Sequence, residues 1–196
     1  MDIITHYDKL IDEDNDPFRD PLPLQEHMNN WDGQRFIDSM CLSKQKKVLE
    51  IGVGTGRVAA KTAPECLSFF GMDISPKTIQ RAKENLSKLG NVELVCGDFS
   101  TYIFEECFDV IYSTLTLLHF EDKQAFISKV ASLLNVGGIF CLSIDKNQSK
   151  YIDMGSRKLK VYPDTAENIA LCIKTAGLKI KDKYETEYAH IFVCEK

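Results

Sequence analysis

The segment from Val48 to Val58 constrains the fold more than any other stretch, because its pattern predicts a strand, a glycine-rich turn and the start of a helix. Apolar and β-branched residues from Val48 to Ile51 predict the strand. Gly52, Gly54 and Gly56 follow at alternating positions. Because glycine tolerates positive φ and has no Cβ, such a turn brings backbone amides within hydrogen-bonding distance of a ligand. The sequence therefore predicts a ligand site built on backbone after this strand.

Two details distinguish this turn from the turn that binds dinucleotides. The dinucleotide fingerprint is G-x-G-x-x-G, but Arg57 stands where its third glycine would be, so the pattern is G-x-G-x-G. Glu50 lies two residues before the first glycine, where a carboxylate would repel a diphosphate and attract a cation. Both details favour a positively charged cofactor. A dinucleotide site and a purely structural turn remain the alternatives at this point.

At these residues the sequence resembles the class I S-adenosylmethionine-dependent methyltransferases, whose first motif reads acid-x-G-x-G-x-G. The resemblance implies that S-adenosyl-L-methionine is the cofactor. It also implies that the cofactor contacts Glu50, Gly52, Val53 and Gly54.

Composition limits the class of protein. A chain of 196 residues with 44% hydrophobic residues suits one domain with a sizeable core. The net charge is -5 and the sequence has no basic stripe, so duplex nucleic acid is not an expected partner. The seven cysteines are scattered without a C-x-x-C pair, which indicates a reducing compartment and not a disulfide framework or a zinc site. No export signal or membrane-crossing run is visible, so we expect a cytoplasmic protein.

Residues 1 to 43 are expected to form an N-terminal extension before the cofactor-binding domain at residues 44 to 196. Acidic residues and prolines predict that residues 1 to 22 are irregular. Apolar spacing between Leu24 and Met40 predicts one helix or two short ones. Tyr7 and Trp31 are candidates for a lid over the site, although an aromatic residue at helical spacing is more often part of the core.

A β-α-β unit is predicted to follow. The first helix should run from Thr55 to Ala63, and the next strand from Cys66 to Asp73. Ser75 is a good N-cap for the second helix. Asp73 lies about twenty residues after the glycine turn, where a carboxylate accepts both ribose hydroxyls of a nucleoside, with either NAD or S-adenosylmethionine. Its alternative role is to cap the helix. Ile74 is assigned to the cofactor site together with Asp73.

A third strand, Val92 to Cys96, leads to Asp98 and Phe99. An acid followed by an aromatic residue at this strand end resembles the methyltransferase pattern. The resemblance implies that Asp98 binds the adenine amino group and that Phe99 flanks the adenine ring.

The rest of the chain completes the sheet. Two more strands with a helix between them are predicted, followed by a last helix and a closing antiparallel hairpin. In order, these are strand 108–113, helix 122–134, strand 139–144, a helix from about 164, and strands 178–184 and 189–194. The predicted fold class is α/β: a single-domain, Rossmann-like, seven-stranded sheet, mostly parallel with a terminal antiparallel hairpin, and helices on both faces. The hairpin resembles the methyltransferase sheet and argues against a dehydrogenase.

The resemblance implies in-line transfer of a methyl group, for which the protein mainly aligns the acceptor and excludes water. The acceptor should lie beyond the strand ends, near Thr114 and Asp145, with Tyr151 and the insertion from Met154 to Lys160 above them. Ser113 is assigned to the cofactor. His119 is the candidate catalytic base, although family members often carry a histidine here that packs or binds substrate without moving a proton.

The absence of several known motifs limits the chemical class of the methyl acceptor. The segment from Ser113 to Thr116 lacks the Asn/Asp-Pro-Pro-Tyr/Phe pattern of adenine and glutamine methyltransferases, and the Pro-Cys nucleophile of cytosine-C5 enzymes is absent. No clear carboxylate set for magnesium is evident either, with Asp145 as the one remaining candidate ligand. The sequence therefore favours a small-molecule acceptor of unidentified structure. The alternatives are an aminopropyl transferase, a non-catalytic S-adenosylmethionine-binding partner subunit and an NAD-dependent oxidoreductase.

Overall fold

The computed structural model describes residues 1–196, which form one seven-stranded sheet with helices on both faces. The strands of this sheet are β1 (Lys47–Ile51), β2 (Ser68–Asp73), β3 (Val92–Cys96), β4 (Phe108–Thr114), β5 (Leu134–Asp145), β8 (Lys179–Glu185) and β9 (Ala189–Glu195). Their order across the sheet is β3-β2-β1-β4-β5-β9-β8, and β9 alone runs opposite to the other strands. The predicted fold class, including the antiparallel hairpin, is confirmed.

Seven α-helices accompany the sheet, and none has the length and apolar character that crossing a membrane requires. They are α1 (Ile3–Asp12), α2 (Leu22–Met28), α3 (Gly33–Asp38), α4 (Ala59–Thr62), α5 (Pro76–Asn85), α6 (Lys123–Leu133) and α7 (Ala166–Thr175). Two short strands, β6 (Tyr151–Asp153) and β7 (Lys158–Lys160), pair as a separate ribbon in the insertion after β5.

Strand β1 lies at the centre of the parallel part of the sheet. Its side chains alternate between two apolar cores, one on each face: Val48 packs with Phe36 and Ile79, and Leu49 packs in the core that contains Phe126. The chain moves from β1 outward to β3 on one side, and then returns to β4 on the other side of β1. The strand order therefore reverses between β1 and β4, which is where open α/β sheets form a ligand crevice at the strand ends.

The N-terminus is helical where the sequence predicted irregular chain, so that prediction is wrong for residues 3 to 12. Asp2 caps α1 by accepting a hydrogen bond from the Thr5 amide at 2.9 Å. Three of the acidic residues in this segment have partners on α5: Asp12 forms an ion pair with Lys77 at 2.6 Å, and Asp14 and Asp16 form ion pairs with Arg81 at 3.4 and 3.1 Å. Two short helices, α2 and α3, follow as predicted.

Several element boundaries differ from the prediction. Helix α4 begins at Ala59 and not at Thr55, because the turn continues through Gly56, whose φ is +96°. Strand β5 begins at Leu134, earlier than predicted. Helix α7, predicted from about residue 164, begins at Ala166, and its N-cap is Thr165, whose hydroxyl accepts from the Asn168 amide at 3.2 Å.

Candidate functional site

A cavity of about 700 Å³ lies at the point where the strand order reverses. The ends of β1, β2 and β4 form its floor, and α1 covers part of it. Its lining includes eight of the nine residues predicted to bind the cofactor: Glu50, Gly52, Val53, Gly54, Asp73, Ile74, Asp98 and Phe99. His119 also lines the cavity. Residues far apart in sequence therefore meet at one site.

Ser113 is the predicted site residue that does not reach this cavity. Its side chain is fully buried, and its hydroxyl donates to the Ile51 carbonyl at 2.9 Å. Because successive side chains of a strand point to opposite faces, the neighbouring Thr114 lines the cavity instead, together with Leu115. The predicted cavity residue and the observed one therefore differ by one position along β4, which places their side chains on opposite faces.

The glycine turn leaves room for a ligand at one position and for a neighbouring segment at another. Gly54 has a φ of +55°, and a Cβ placed there would meet no atom within 4 Å, so its backbone is open to the cavity. Gly52 has a φ of +81°, and a Cβ there would lie 1.9 Å from Thr116 Oγ1. Gly52 is thus required by packing, and Gly54 keeps the cavity floor bare.

The Asp73 carboxylate is fixed at the end of β2 by two backbone amides. Gly54 N donates to Oδ2 at 3.1 Å, and Ser75 N donates to Oδ1 at 3.0 Å. Burial is the largest influence on this group and raises the pKa of Asp73. Two neutral donors hold the carboxylate in place and leave acceptor capacity for ligand hydroxyls. Asp98, at the end of β3, is held similarly by the Ser100 amide at 2.7 Å.

Glu50 is a buried carboxyl group behind the glycine turn. It is 2% exposed and accepts a hydrogen bond from the Tyr112 hydroxyl at 2.8 Å. Burial raises the pKa of Glu50 to about 8, although the hydrogen bond from Tyr112 and the charge of Arg57 act in the opposite direction. A cation placed in the cavity beside Glu50 would favour its ionised form.

An ion pair that no sequence pattern predicted joins the N-terminal extension to the glycine turn. The Arg57 side chain is 10% exposed and that of Asp32 is 3% exposed, and their two hydrogen bonds include one from Nη1 to Oδ1 at 3.2 Å. Thr114 also donates to Asp32 Oδ2 at 3.4 Å. A bidentate pair of this kind fixes both charges. It therefore fixes the start of α3 against the turn.

Tyr7 on α1 and His119 form a second link to the extension. The Tyr7 hydroxyl lies 2.7 Å from His119 Nε2. Burial lowers the pKa of His119 to about 4 and raises the pKa of Tyr7. The imidazole is therefore neutral and the phenol protonated at pH 7. Spacing in sequence could suggest each residue, but not this pairing, because 112 positions separate them.

Contacts with the rest of the chain hold α1 over the cavity. Ser75 Oγ donates to Asp8 Oδ1 at 2.7 Å, and Glu13 forms a bidentate ion pair with Arg157 at 2.5 and 2.6 Å. The side chain of Arg157 is 8% exposed and that of Glu13 is 51% exposed, so only the arginine side of this pair is shielded from solvent. Ile3 and Tyr7 of α1 belong to the cavity lining.

A second cavity of about 580 Å³ adjoins the first. The two share lining residues at their junction: Tyr7, Met28, Leu115, Thr116 and Tyr162. The ribbon residues from Tyr151 to Asp153 and the end of β5 at Asp145 line the second cavity. No group of three or more His, Cys, Asp or Glu side chains could hold a metal ion in this structure. Two adjoining cavities suit a reaction between two organic molecules.

Comparisons with known proteins agree with this geometry. Residues 49–142 match the family model described as a methyltransferase domain. An uncharacterised methyltransferase of Anoxybacillus flavithermus is 32% identical over 152 residues, which cover 74% of this chain and 70% of that protein. A ubiquinone biosynthesis O-methyltransferase of Thiobacillus denitrificans is 28% identical over 182 residues, covering 89% and 78% of the two chains.

The fold is also similar to solved structures. The magnesium protoporphyrin IX methyltransferase from Synechocystis, crystallised with bound S-adenosylmethionine, superposes with a TM-score of 0.76. The alignment covers 99% of this chain and 95% of that chain, at 18% identity. The match to the family model and the relative at 32% identity both span the glycine turn and the strand-end acids that line the first cavity. This chain belongs to the class I S-adenosylmethionine-dependent methyltransferases.

Proposed function

We propose that this protein binds S-adenosylmethionine in the first cavity and transfers its methyl group to a small molecule in the second. The observation that carries the proposal is the convergence of residues from three strand ends on one cavity that adjoins another. The small-molecule acceptor is supported by the second cavity, whose volume of about 580 Å³ suits a compact organic ligand.

The residues of the first cavity fit the proposed cofactor. Asp73 is proposed to accept the ribose hydroxyls, because its carboxylate is fixed by neutral donors and faces the cavity. Asp98 is proposed to accept from the adenine amino group, with Ile74 and Phe99 on either side of the ring. Gly54 leaves the backbone open to close approach. Glu50 is proposed to attract the ammonium group of the cofactor, since an ionised carboxylate favours a nearby cation.

S-adenosylmethionine supplies a methyl group on a sulfonium, which is already activated for displacement. The protein's main task is then to hold the two reactants in line and to exclude water. Helix α1 is suited to that task because it covers the first cavity and is anchored through Asp8 and Glu13. We therefore propose that residues 1 to 43 act as a cover for the site, in addition to the core role of Phe36 and Met40.

A proton must leave the acceptor if the nucleophile is a hydroxyl or an ammonium group. Tyr7 lines both cavities, whereas His119 lines only the first. We propose that the acceptor's proton passes to the Tyr7 oxygen while the Tyr7 proton passes to His119 Nε2. Neutral imidazole is the form that can accept it. The low pKa of His119 makes it a weak base, so this relay suits an acceptor whose proton becomes acidic as the methyl bond forms.

Calorimetric titration with S-adenosylhomocysteine and with NAD tests the proposed function. We expect micromolar binding of S-adenosylhomocysteine and no binding of NAD. Asp73→Asn should weaken the binding by at least about tenfold, because a neutral amide forms weaker hydrogen bonds to ribose hydroxyls than a carboxylate does. Asp182→Asn is the matched control, because Asp182 lies on β8 outside both cavities. Binding of NAD in place of the sulfur nucleoside would contradict the proposal.

A further inference from the structure

Aromatic side chains form much of the wall of the second cavity. Tyr7, Trp31, Tyr151 and Tyr162 all line it. Trp31 is held in place by Tyr188, with ring centroids 4.7 Å apart, and by a hydrogen bond from its Nε1 to Asp145 Oδ2 at 3.3 Å. Aromatic faces of this kind attract both apolar groups and cations.

The cavity offers no free cation. Lys123 is the single lysine or arginine in its lining. Its Nζ donates to three backbone carbonyls, those of Leu117 at 2.8 Å, Phe120 at 2.6 Å and Tyr162 at 2.5 Å. An ammonium group has three protons, so this side chain has none left for a ligand. A carboxylate, phosphate or sulfate on the acceptor would therefore find no cationic partner here.

Three aspartates line the same cavity, and they differ in how their charge is compensated. Asp153 forms an ion pair with Lys158 at 2.8 Å. Asp164 lies at the start of α7 and accepts from Asn168 Nδ2 at 2.7 Å and from the Thr165 amide at 2.7 Å. Asp153 thus has a cationic partner, and Asp164 has the positive end of the α7 dipole beside it.

Asp145 is the exception. It is half-buried and accepts hydrogen bonds from two neutral groups, Trp31 Nε1 and the Asn147 amide at 2.7 Å. No lysine or arginine forms an ion pair with it, and the adjacent Lys146 pairs with Glu185 at 2.9 Å. A half-buried carboxylate without a cationic partner is stabilised when a ligand supplies the positive charge. The cavity therefore combines an unpaired anion with aromatic walls.

We propose that the methyl acceptor carries an amine that is cationic at neutral pH, with its ammonium group bound by Asp145 and its apolar body packed against Trp31 and Tyr7. The inference rests on the proposed function, because it assigns the second cavity to the acceptor. It concerns the group that anchors the acceptor. The methyl group goes to whichever nucleophilic atom of that molecule reaches the first cavity.

A matched series of phenols tests this charge preference. Tyramine, tyrosol and 4-hydroxyphenylacetate share a hydroxyphenyl ring and carry a positive, neutral and negative end, respectively. Each is titrated into the full-length protein saturated with S-adenosylhomocysteine. We expect tyramine to bind at least about tenfold more tightly than tyrosol, as for a charge-assisted hydrogen bond, and 4-hydroxyphenylacetate to bind most weakly.

Two variants locate the effect. Asp145→Asn should reduce the preference for tyramine over tyrosol to about threefold or less. Asp153→Asn should leave that preference unchanged, because Asp153 lines the same cavity but is already paired with Lys158. The affinity for S-adenosylhomocysteine and the thermal unfolding midpoint of each variant show whether the first cavity and the fold are intact.

The outcomes separate the two proposals. Loss of S-adenosylhomocysteine binding in the natural sequence would contradict the proposed function itself. If S-adenosylhomocysteine binds normally, the tyramine result decides the amine proposal alone. That proposal is overturned if tyramine does not bind, binds no more tightly than tyrosol, or binds more weakly than 4-hydroxyphenylacetate. An equal loss of preference in both variants would overturn the role of Asp145. The series in the natural sequence remains decisive if Asp145→Asn does not fold.

Discussion

Replacing Glu50 with glutamine should remove the pH dependence of S-adenosylhomocysteine binding. The carboxyl group is 2% exposed, and burial raises its pKa to about 8. With that pKa, about a tenth of Glu50 is ionised at pH 7 and about half at pH 8. The ligand's ammonium group is proposed to bind the ionised form. The affinity of the natural sequence should therefore increase about fivefold from pH 7 to pH 8.

Calorimetry at pH 7 in phosphate and in Tris buffer measures the protons released on binding, because the two buffers differ in ionisation enthalpy. If bound Glu50 is fully ionised, its contribution should be about 0.9 proton per ligand. The difference between the natural sequence and Glu50→Gln isolates this contribution, since protons from the ligand's own amine are common to both. The variant keeps an acceptor for the Tyr112 hydroxyl, so the local hydrogen bond is preserved.

The affinity of Glu50→Gln provides a second test of the role of Glu50. Glu50→Gln should also bind at least about tenfold more weakly at pH 8, as expected when a charged partner of a hydrogen bond is lost. Equal proton release by both proteins would show that Glu50 does not sense the ligand's charge. An affinity of the natural sequence that is constant between pH 7 and pH 8 would lead to the same conclusion.

Substitutions in the glycine turn, deletion of residues 1–13 and substitution of His119 should each change ligand binding or stability. Gly54→Ala should weaken S-adenosylhomocysteine binding, since the new Cβ would project into the cavity, and its φ of +55° should cost some stability. Gly52→Ala should lower the unfolding midpoint further, because its φ is +81° and its Cβ would also overlap Thr116. Equal unfolding midpoints for the two variants would contradict this. Deleting residues 1–13 should accelerate dissociation of S-adenosylhomocysteine by at least about tenfold, measured by stopped flow, because the deletion removes Ile3 and Tyr7 from the cavity and a charge-assisted anchor at Arg157; an unchanged rate would show that α1 is not a cover. Burial lowers the pKa of His119 from 6.5 to about 4, so the free energy of unfolding should decrease as the pH falls from 6.5 towards 4, by at most about 3 kcal/mol. Urea denaturation at several pH values measures this decrease. In His119→Gln the free energy of unfolding should depend less on pH over the same range.

Local patterns explain what could be predicted from the sequence. The β-branched run from Val48 to Ile51, the glycine turn and the capping Ser75 each specify structure within a few residues, and all three are found where they were expected. Asp73 and Asp98 could be placed at the same edge because the carboxyl ends of parallel strands lie together. The first cavity was predictable for the same reason.

Long-range pairs explain what could not be predicted. The acidic N-terminus resembles solvated chain, and its helical structure depends on partners such as Lys77, 65 positions away. The pairing of Tyr7 with His119 joins segments whose separation in sequence carries no periodic signal. Ser113 shows the limit of motif transfer within a strand, where a displacement of one position moves the side chain to the opposite face. Thr114 takes its place at the cavity.

A crystal structure of the protein with S-adenosylhomocysteine tests the central claim most directly. We predict that the ribose hydroxyls contact the Asp73 carboxylate and that the adenine lies between Ile74 and Phe99. The sulfur atom should face Tyr7 and Thr116, at the junction with the second cavity. Adenosine bound away from Asp73, or a sulfur atom directed away from that junction, would contradict the assignment of the two cavities to methyl donor and acceptor.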